Sequence, residues 1–221
     1  MTIDLPDRSR AFEYENSFIM SCDSSRMAKW MAHWELFNRV SAVPGAFFEF
    51  GVFKGNSFLR FAMFRSLLGR IHSLNMYGFD VFGEFPSSVL KDDVGDIEQF
   101  VSEAGSSSIS RDDLVTLLCE KGEYKNIELI EGDICQTLPI FLEKHSSIRA
   151  SMINLDVDIF EPSVLILELL WDRLSKGGVL LLDDYGKFAG ETEAVNEFVR
   201  TRELSIECLP FCQFPSFIVK R

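Results

Sequence analysis

Ser151-Met152-Ile153-Asn154-Leu155-Asp156-Val157-Asp158 and Gly178-Val179-Leu180-Leu181-Leu182-Asp183-Asp184 decide how this chain is read. Each is a short apolar run closed by a pair of carboxylates, and runs rich in Val, Ile and Leu mark buried parallel strands. In open α/β sheets ligands gather at the carboxyl ends of the strands, so these acids would face one crevice. Like charges about 4 Å apart repel by about 4 kcal/mol at an effective dielectric of about 20. A converging acid cluster therefore requires raised pKa values or a cation, and a hard, oxygen-preferring metal is the natural resolution.

Working outward, residues 46–50 form a predicted strand, followed by a glycine turn, a helix over 56–68 and a strand over 75–79: a βαβ unit. The alternation resumes with a helix over 111–121, a strand over 126–130, a helix over 136–144 and the strand before Asp156. Pro162 opens a helix running to 174, and Lys176-Gly177-Gly178 turns into the strand that ends at Asp183. A helix over 192–201 and strands over 205–209 and 216–219 finish the chain. The pattern predicts an α/β fold: a Rossmann-like, doubly wound sheet of about seven strands with helices on both faces. The last two strands, joined through residues 210–215, predict an antiparallel edge pair.

Upstream, Met27, Trp30, Met31, Trp34 and Phe37 recur at helical spacing over 24–39, with Asp23 or Ser24 as N-cap, and this stripe is expected to pack on the sheet. Residues 14–20 are too short and mixed to assign. Residues 84–110 hold Pro86, Gly95, Gly105 and a Ser106-Ser107-Ser108 run around one expected helix near 93–103, long for a connection and read as a lid-like insertion. One domain is expected over 1–221, with residues 1–40 as an N-terminal cap.

With 221 residues, 47% of them hydrophobic, the chain has material for one core. Its 22 basic and 34 acidic residues give a net charge of -12, the wrong sign for holding a phosphate backbone, so a nucleic-acid partner is not expected. Neither a basic start followed by an apolar stretch nor a run of about 18 apolar residues occurs, which predicts a cytoplasmic protein without a membrane partner. Five cysteines without a CxxC signal neither a disulfide framework nor a zinc site. His33, His72 and His145 stand apart from the acid pairs in sequence, so no catalytic imidazole is signalled. A homo-oligomer is the expected assembly.

Between the first two strands lies Glu49-Phe50-Gly51-Val52-Phe53-Lys54-Gly55-Asn56-Ser57. Glycines there let the backbone turn and approach a ligand at the start of the next helix. An acid beside the turn disfavours a pyrophosphate and suits an ammonium or a polar neutral group. Asp80 follows the second strand, where α/β nucleotide folds place an acid on ribose hydroxyls, and Glu131-Gly132-Asp133 follows the third.

Glu49-x-Gly51-x-x-x-Gly55, Asp80 and Gly132-Asp133 together resemble the S-adenosylmethionine site of class I methyltransferases. More specifically, residues 155–163 with Gly177-Gly178 and Leu182-Asp183-Asp184-Tyr185-Gly186 resemble the macrocin-type sugar O-methyltransferases. Residues 49–55, 78–83, 127–134 and Ala189-Gly190-Glu191-Thr192 look closest to the branch that methylates the 3-hydroxyl of dTDP-6-deoxy-L-hexoses. The resemblance implies that Glu49, Gly51, Gly55, Ser57, Asp80, Gly132 and Asp133 bind the cofactor. It further implies that Asp156, Asp183 and Asp184 ligate Mg2+, that Asp158 is the general base, and that residues 16–26 help close over the cofactor. The implied acceptor is a sugar or sugar nucleotide.

The chemistry is consistent with those roles: a sugar hydroxyl is a poor nucleophile, a cation acidifies it and a carboxylate takes its proton. Spacing leaves open whether Asp156 or Asp158 is that base, because alternate residues on an extended segment point the same way. Tyr185 and Lys187, just after the second pair, are either substrate contacts or rim residues. A D-x-D phosphatase would also place Mg2+ at strand ends, but little chain separates Asp158 from Asp183 for its phosphate-holding elements. A D-x-D glycosyltransferase leaves Glu49 and the second pair unexplained, and a small-phenol or catechol-type O-methyltransferase is a further alternative.

Overall fold

The protein is described from a computed structural model over residues 5–85, 102 and 105–221. Strand β1 (Ala46–Phe50) is buried along its whole length because it lies between β2 (Met76–Asp80) and β4 (Ala150–Leu155), parallel to both. Outward from these lie β3 (Ile127–Glu131) beside β2 and β5 (Leu174–Leu182) beside β4, again parallel. The edge is antiparallel: β7 (Cys212–Val219) pairs with β5 and β6 (Glu207–Leu209) with β7, giving the order β3-β2-β1-β4-β5-β7-β6. The direction of winding reverses between β1 and β4, and the crevice at such a switch point is where open α/β sheets bind ligands.

Helices cover both faces, as the alternation predicts. On one face α2 (Ser24–Arg39), α3 (Asn56–Leu67) and α4 (Arg111–Glu120) pack Leu36, Phe37, Phe61 and Leu118 against Phe47, Met152 and Leu181. On the other, α5 (Ile134–Lys144), α6 (Phe160–Leu170) and α7 (Ala189–Arg202) pack Phe141, Ile166 and Phe198 with Phe48, Phe50, Ile153 and Leu182. Successive side chains of a strand alternate between faces. Glu49 therefore shares a face with Phe47, Asn154 with Met152 and Asp183 with Leu181, which turns all three polar groups toward α2 and α3.

Several boundaries differ from the sequence reading. Asp80 and Glu131 are the last residues of β2 and β3 rather than the first beyond them. β5 starts before the glycine pair, and β7 reaches back to Cys212, which leaves only Pro210 and Phe211 as the turn from β6. Residues 14–20, left unassigned, lie in α1 (Ala11–Ser21), a helix with no buried residue whose Phe18 stacks on Trp30 with ring centroids 4.8 Å apart. The Met/Trp stripe of α2 packs only in part. Trp30 and Met31 are exposed while Ala32, His33, Leu36 and Phe37 are buried, because the sheet-facing side is rotated toward His33. Asp23 is the N-cap, accepting from the Ser25 N–H at 2.9 Å. The ends of the 84–110 segment are pinned by an antiparallel bridge between Glu84 and Ser107, and most of its expected helix near 93–103 lies outside the described residues. Among the described residues no helix is long and apolar enough to cross a membrane.

Candidate active site

The turn after β1 is built for close approach. Gly51 has φ +85°, and a Cβ there would lie 1.6 Å from the Asp156 carbonyl oxygen, so only glycine lets this turn pass beneath the end of β4. Gly55, at φ +80°, caps α3 from the left-handed region. Between them the Phe53 N–H donates to Asp80 Oδ2 and the Phe82 N–H to Oδ1, both at 2.8 Å. Asp80 thus ties the turns after β1 and β2 together. The Gly132 N–H donates to the Asp80 carbonyl at 2.9 Å, and Asp133 caps α5 through the Cys135 N–H at 2.8 Å while its side chain stays exposed. Glu49, Gly51, Gly55, Ser57, Asp80, Gly132 and Asp133 are in this way brought along the carboxyl ends of three adjacent strands.

Glu49 is fully buried. Its Oε1 accepts from Ser57 Oγ at 2.6 Å, while Oε2 has no partner. Asn154 is its register partner on β4 and lies close enough to favour the charge, yet both its amide atoms lack a partner in hydrogen-bond geometry. Burial pushes the Glu49 carboxyl up to about 8, against the Ser57 bond. Unsatisfied buried polar atoms cost about 1–3 kcal/mol each, so this cluster of orphans points to a polar, cationic ligand group.

At the ends of β4 and β5, one oxygen each of Asp156, Asp158 and Asp184 lies within 4.8 Å of the other two. Asp158 sits at φ +64°, a backbone region uncommon outside glycine, and its Oδ1 is buried without a partner. Burial, then Asp184 and Asp183, push its carboxyl up to about 8, and burial with Asp183 and Asp184 raises Asp156. Asp184 is bridged by Lys187 Nζ at 2.5 Å. This donor set, all carboxylate oxygen with an unused acceptor and mutual repulsion, fits a hard divalent cation.

Asp183 does not join the convergence. Its Oδ2 receives Lys29 Nζ, and its Oδ1 lies 3.0 Å from His33 Nε2. Burial would raise Asp183, but Lys29 and His33 hold it well below the usual carboxylate range. Burial likewise opposes the Lys29 ammonium, but Asp183, Asp156 and Asp184 together raise its pKa. Behind His33, Arg60 approaches Nδ1 at 2.9 Å and lays its guanidinium 4.8 Å from the Trp30 ring centroid.

The sequence reading missed this basic flank. Lys29 and His33 lie one helical turn apart, and Arg60 is set on the next helix, but only the fold brings them to Asp183. It also passed over Glu191, quoted only within a resembling stretch. Glu191 lies in the first turn of α7 with 0% exposure and both carboxylate oxygens unpartnered. Burial and then Asp158, Asp184 and Asp183 raise it well above the carboxylate range, while the Asp158 main chain lowers it weakly without reaching hydrogen-bond geometry. Of the two rim residues, Lys187 bridges Asp184, and the Tyr185 hydroxyl donates to Asn196 Oδ1 at 2.8 Å. An open groove of about 650 Å3 runs beside the centre along α7, past Lys187, Phe188, Thr192, Asn196 and Arg200.

Comparison with known proteins bears on the fold and the family. A family model described as Macrocin-O-methyltransferase (TylF) matches residues 18–210. No curated protein matches. Among solved structures, the calicheamicin methyltransferase CalS11 is 21% identical with a TM-score of 0.73, covering 99% of this chain and 94% of its own. The O-methyltransferase NovP is 17% identical with a TM-score of 0.73, covering 87% and 79%. TomG, an O-methyltransferase of tomaymycin synthesis from Streptomyces achromogenes solved with S-adenosylmethionine, is 16% identical with a TM-score of 0.53, covering 98% and 92%. These likenesses establish the class I methyltransferase fold, and with the family match spanning most of its length, the chain belongs to the macrocin-O-methyltransferase family of S-adenosylmethionine-dependent enzymes.

Proposed function

We propose that the protein methylates a hydroxyl of a deoxyhexose, carried on a nucleotide or on a glycosylated natural product, with a divalent cation such as Mg2+ at the acid centre. The observation that carries this reading is the convergence of Asp156, Asp158 and Asp184 next to the orphaned Glu49 and Asn154. An anionic, oxygen-only pocket beside a polar cradle suits a polyhydroxyl acceptor better than an aromatic one. A second CalS11 structure, 21% identical with a TM-score of 0.68, is described as a TDP-rhamnose 3'-O-methyltransferase, which favours the nucleotide-sugar form.

When bound, the cofactor supplies a positively charged sulfonium methyl, and the cation lowers the pKa of a sugar hydroxyl. Glu49 Oε2 and Asn154 would receive the ammonium end of the cofactor, the Gly51 and Gly55 turn would let it approach the backbone, and Asp80 and Asp133 would hold its nucleoside. Asp156 and Asp184 would hold the cation. Asp158, with its free Oδ1, would take the hydroxyl proton as the sugar oxygen bonds to the methyl carbon and the methyl–sulfur bond breaks, the sulfur keeping the electron pair and leaving as S-adenosylhomocysteine. Asp183 differs from the role implied by resemblance: its two oxygens anchor Lys29 and His33, so it fixes the cap helix and the local charge. The groove along α7 offers room for the rest of the acceptor.

Incubation with S-adenosylmethionine, Mg2+ and a panel of nucleotide deoxysugars and glycosylated acceptors, read by mass spectrometry, tests the reading. A gain of one methylene on a sugar is expected, and no gain when a chelator is present. Methylation of catechols but of no sugar would replace this reading with the small-phenol one.

A further inference from the structure

Glu191 is the residue at the acid centre that nothing above employs. Its carboxylate is fully buried, both oxygens are without partners, and Asp158, Asp184 and Asp183 are the charges that act on it most. Its own N–H donates to the Asp158 carbonyl at 3.2 Å, which fixes the first turn of α7 against the segment that carries Asp158. A buried acid among other acids, with no donor in hydrogen-bond geometry, is costly for a core to hold, and such groups persist where a ligand satisfies them. No basic side chain within the described residues bridges it, whereas Asp183 has Lys29 and Asp184 has Lys187.

We propose that Glu191 belongs to the divalent-cation centre, as a positioning carboxylate that stands one layer outside Asp156, Asp158 and Asp184. Its oxygens lie outside the convergence of those three, so it acts from behind them, accepting hydrogen bonds from water that the cation holds. It supplies acceptor oxygens that Asp183, already engaged by Lys29 and His33, does not offer. This rests on the reading of the acid centre as a cation site. Outer partners of metal ligands typically change affinity by about 10–100-fold when removed.

The test uses the full chain without acceptor and measures Mn2+ binding by electron paramagnetic resonance, with S-adenosylhomocysteine affinity and thermal melting in parallel. Glu191→Gln keeps the shape and replaces one acceptor oxygen with a donor amide. Mn2+ binding about 10–100-fold weaker than wild type, with cofactor affinity unchanged and melting temperature not lowered, is expected. Glu191→Asp retains both acceptor oxygens and should recover part of the affinity. Equal Mn2+ affinity in wild type and Glu191→Gln overturns the role of Glu191 while leaving the cation centre standing. Failure of the wild type to bind Mn2+ removes the cation centre itself, and this inference with it. If Glu191→Gln does not fold, the comparison passes to Glu191→Ala, where Mn2+ affinity equal to wild type overturns the proposal.

Discussion

Arg60 fixes the proton of His33. A guanidinium can only donate, so the contact at 2.9 Å makes Nδ1 the acceptor and leaves Nε2 to carry the hydrogen given to Asp183. The imidazole is neutral in this arrangement, in keeping with burial, which pulls its pKa down from 6.5 against the attraction of Asp183. Replacing His33 with Phe preserves the stacking on Phe61, whose ring centroid is 4.9 Å away, but strips Asp183 of a buried donor. A loss of about 2–3 kcal/mol in denaturant melts is expected, with partial recovery in His33→Gln. Because the folded pKa is depressed, the His33 contribution is full above 6.5 and declines as pH falls below it, so the wild type should lose this advantage on acidification.

Glu49 sets a pH dependence of opposite sign. The folded protein keeps its proton up to about 8 whereas the ordinary value is 4.5, so the group's contribution to stability falls as pH rises between the two. Glu49→Gln should flatten that slope. Binding of the cationic cofactor favours the ionised form, and its affinity for the wild type should rise by up to about tenfold per pH unit on approach to 8. Calorimetry from pH 6.5 to 9 checks this; the same slope in Glu49→Gln would remove Glu49 from the binding site.

Gly51 and Gly69 make a matched pair of backbone tests. Both have positive φ, but a Cβ at Gly69 meets nothing within 4 Å, whereas one at Gly51 strikes the Asp156 carbonyl. Gly69→Ala should cost about 1 kcal/mol, and Gly51→Ala should cost more than about 3 kcal/mol or abolish cofactor binding in a folded remainder. Thermal melts with and without S-adenosylhomocysteine separate those outcomes.

Asp158→Asn removes the proposed base with little change of shape. Turnover should fall by about 10²–10⁴-fold while cofactor affinity is kept. Asp184→Asn should instead raise the Mg2+ concentration needed for half-maximal rate. Steady-state kinetics across a Mg2+ series distinguishes the two, and a wild-type rate in Asp158→Asn would exclude it as the base.

The strands were legible because each buried run ends in polar residues, and Asp80, Asp156 and Asp183 follow paired residues of β2, β4 and β5, with Glu49 two residues deeper on β1. Element ends were less so: Asp80 and Glu131 belong to their strands, since backbone pairing continues after the apolar run has stopped. The basic flank was hidden for a different reason. Lys29 and His33 interrupt an apolar helix face, and the prominent Met and Trp residues drew the expected buried side away from them, while the actual side follows Ala32, Leu36 and Phe37. Glu191 was obscured by its place in the first turn of a helix, where an acid ordinarily serves the helix dipole in solvent. Only the packing of α7 against the segment after β4 shows that this one is enclosed.

The contact between Gly51 and the Asp156 carbonyl has a consequence for how this enzyme can change. The loop proposed to receive the methyl donor and the strand end proposed to receive the acceptor are wedged together with no space for a side chain, so a shift in either displaces the other. Altered acceptor preference therefore has to be sought away from this seam, in the α7 groove and the cap helices. Those surfaces can be redrawn while the distance between donor and acceptor stays constant.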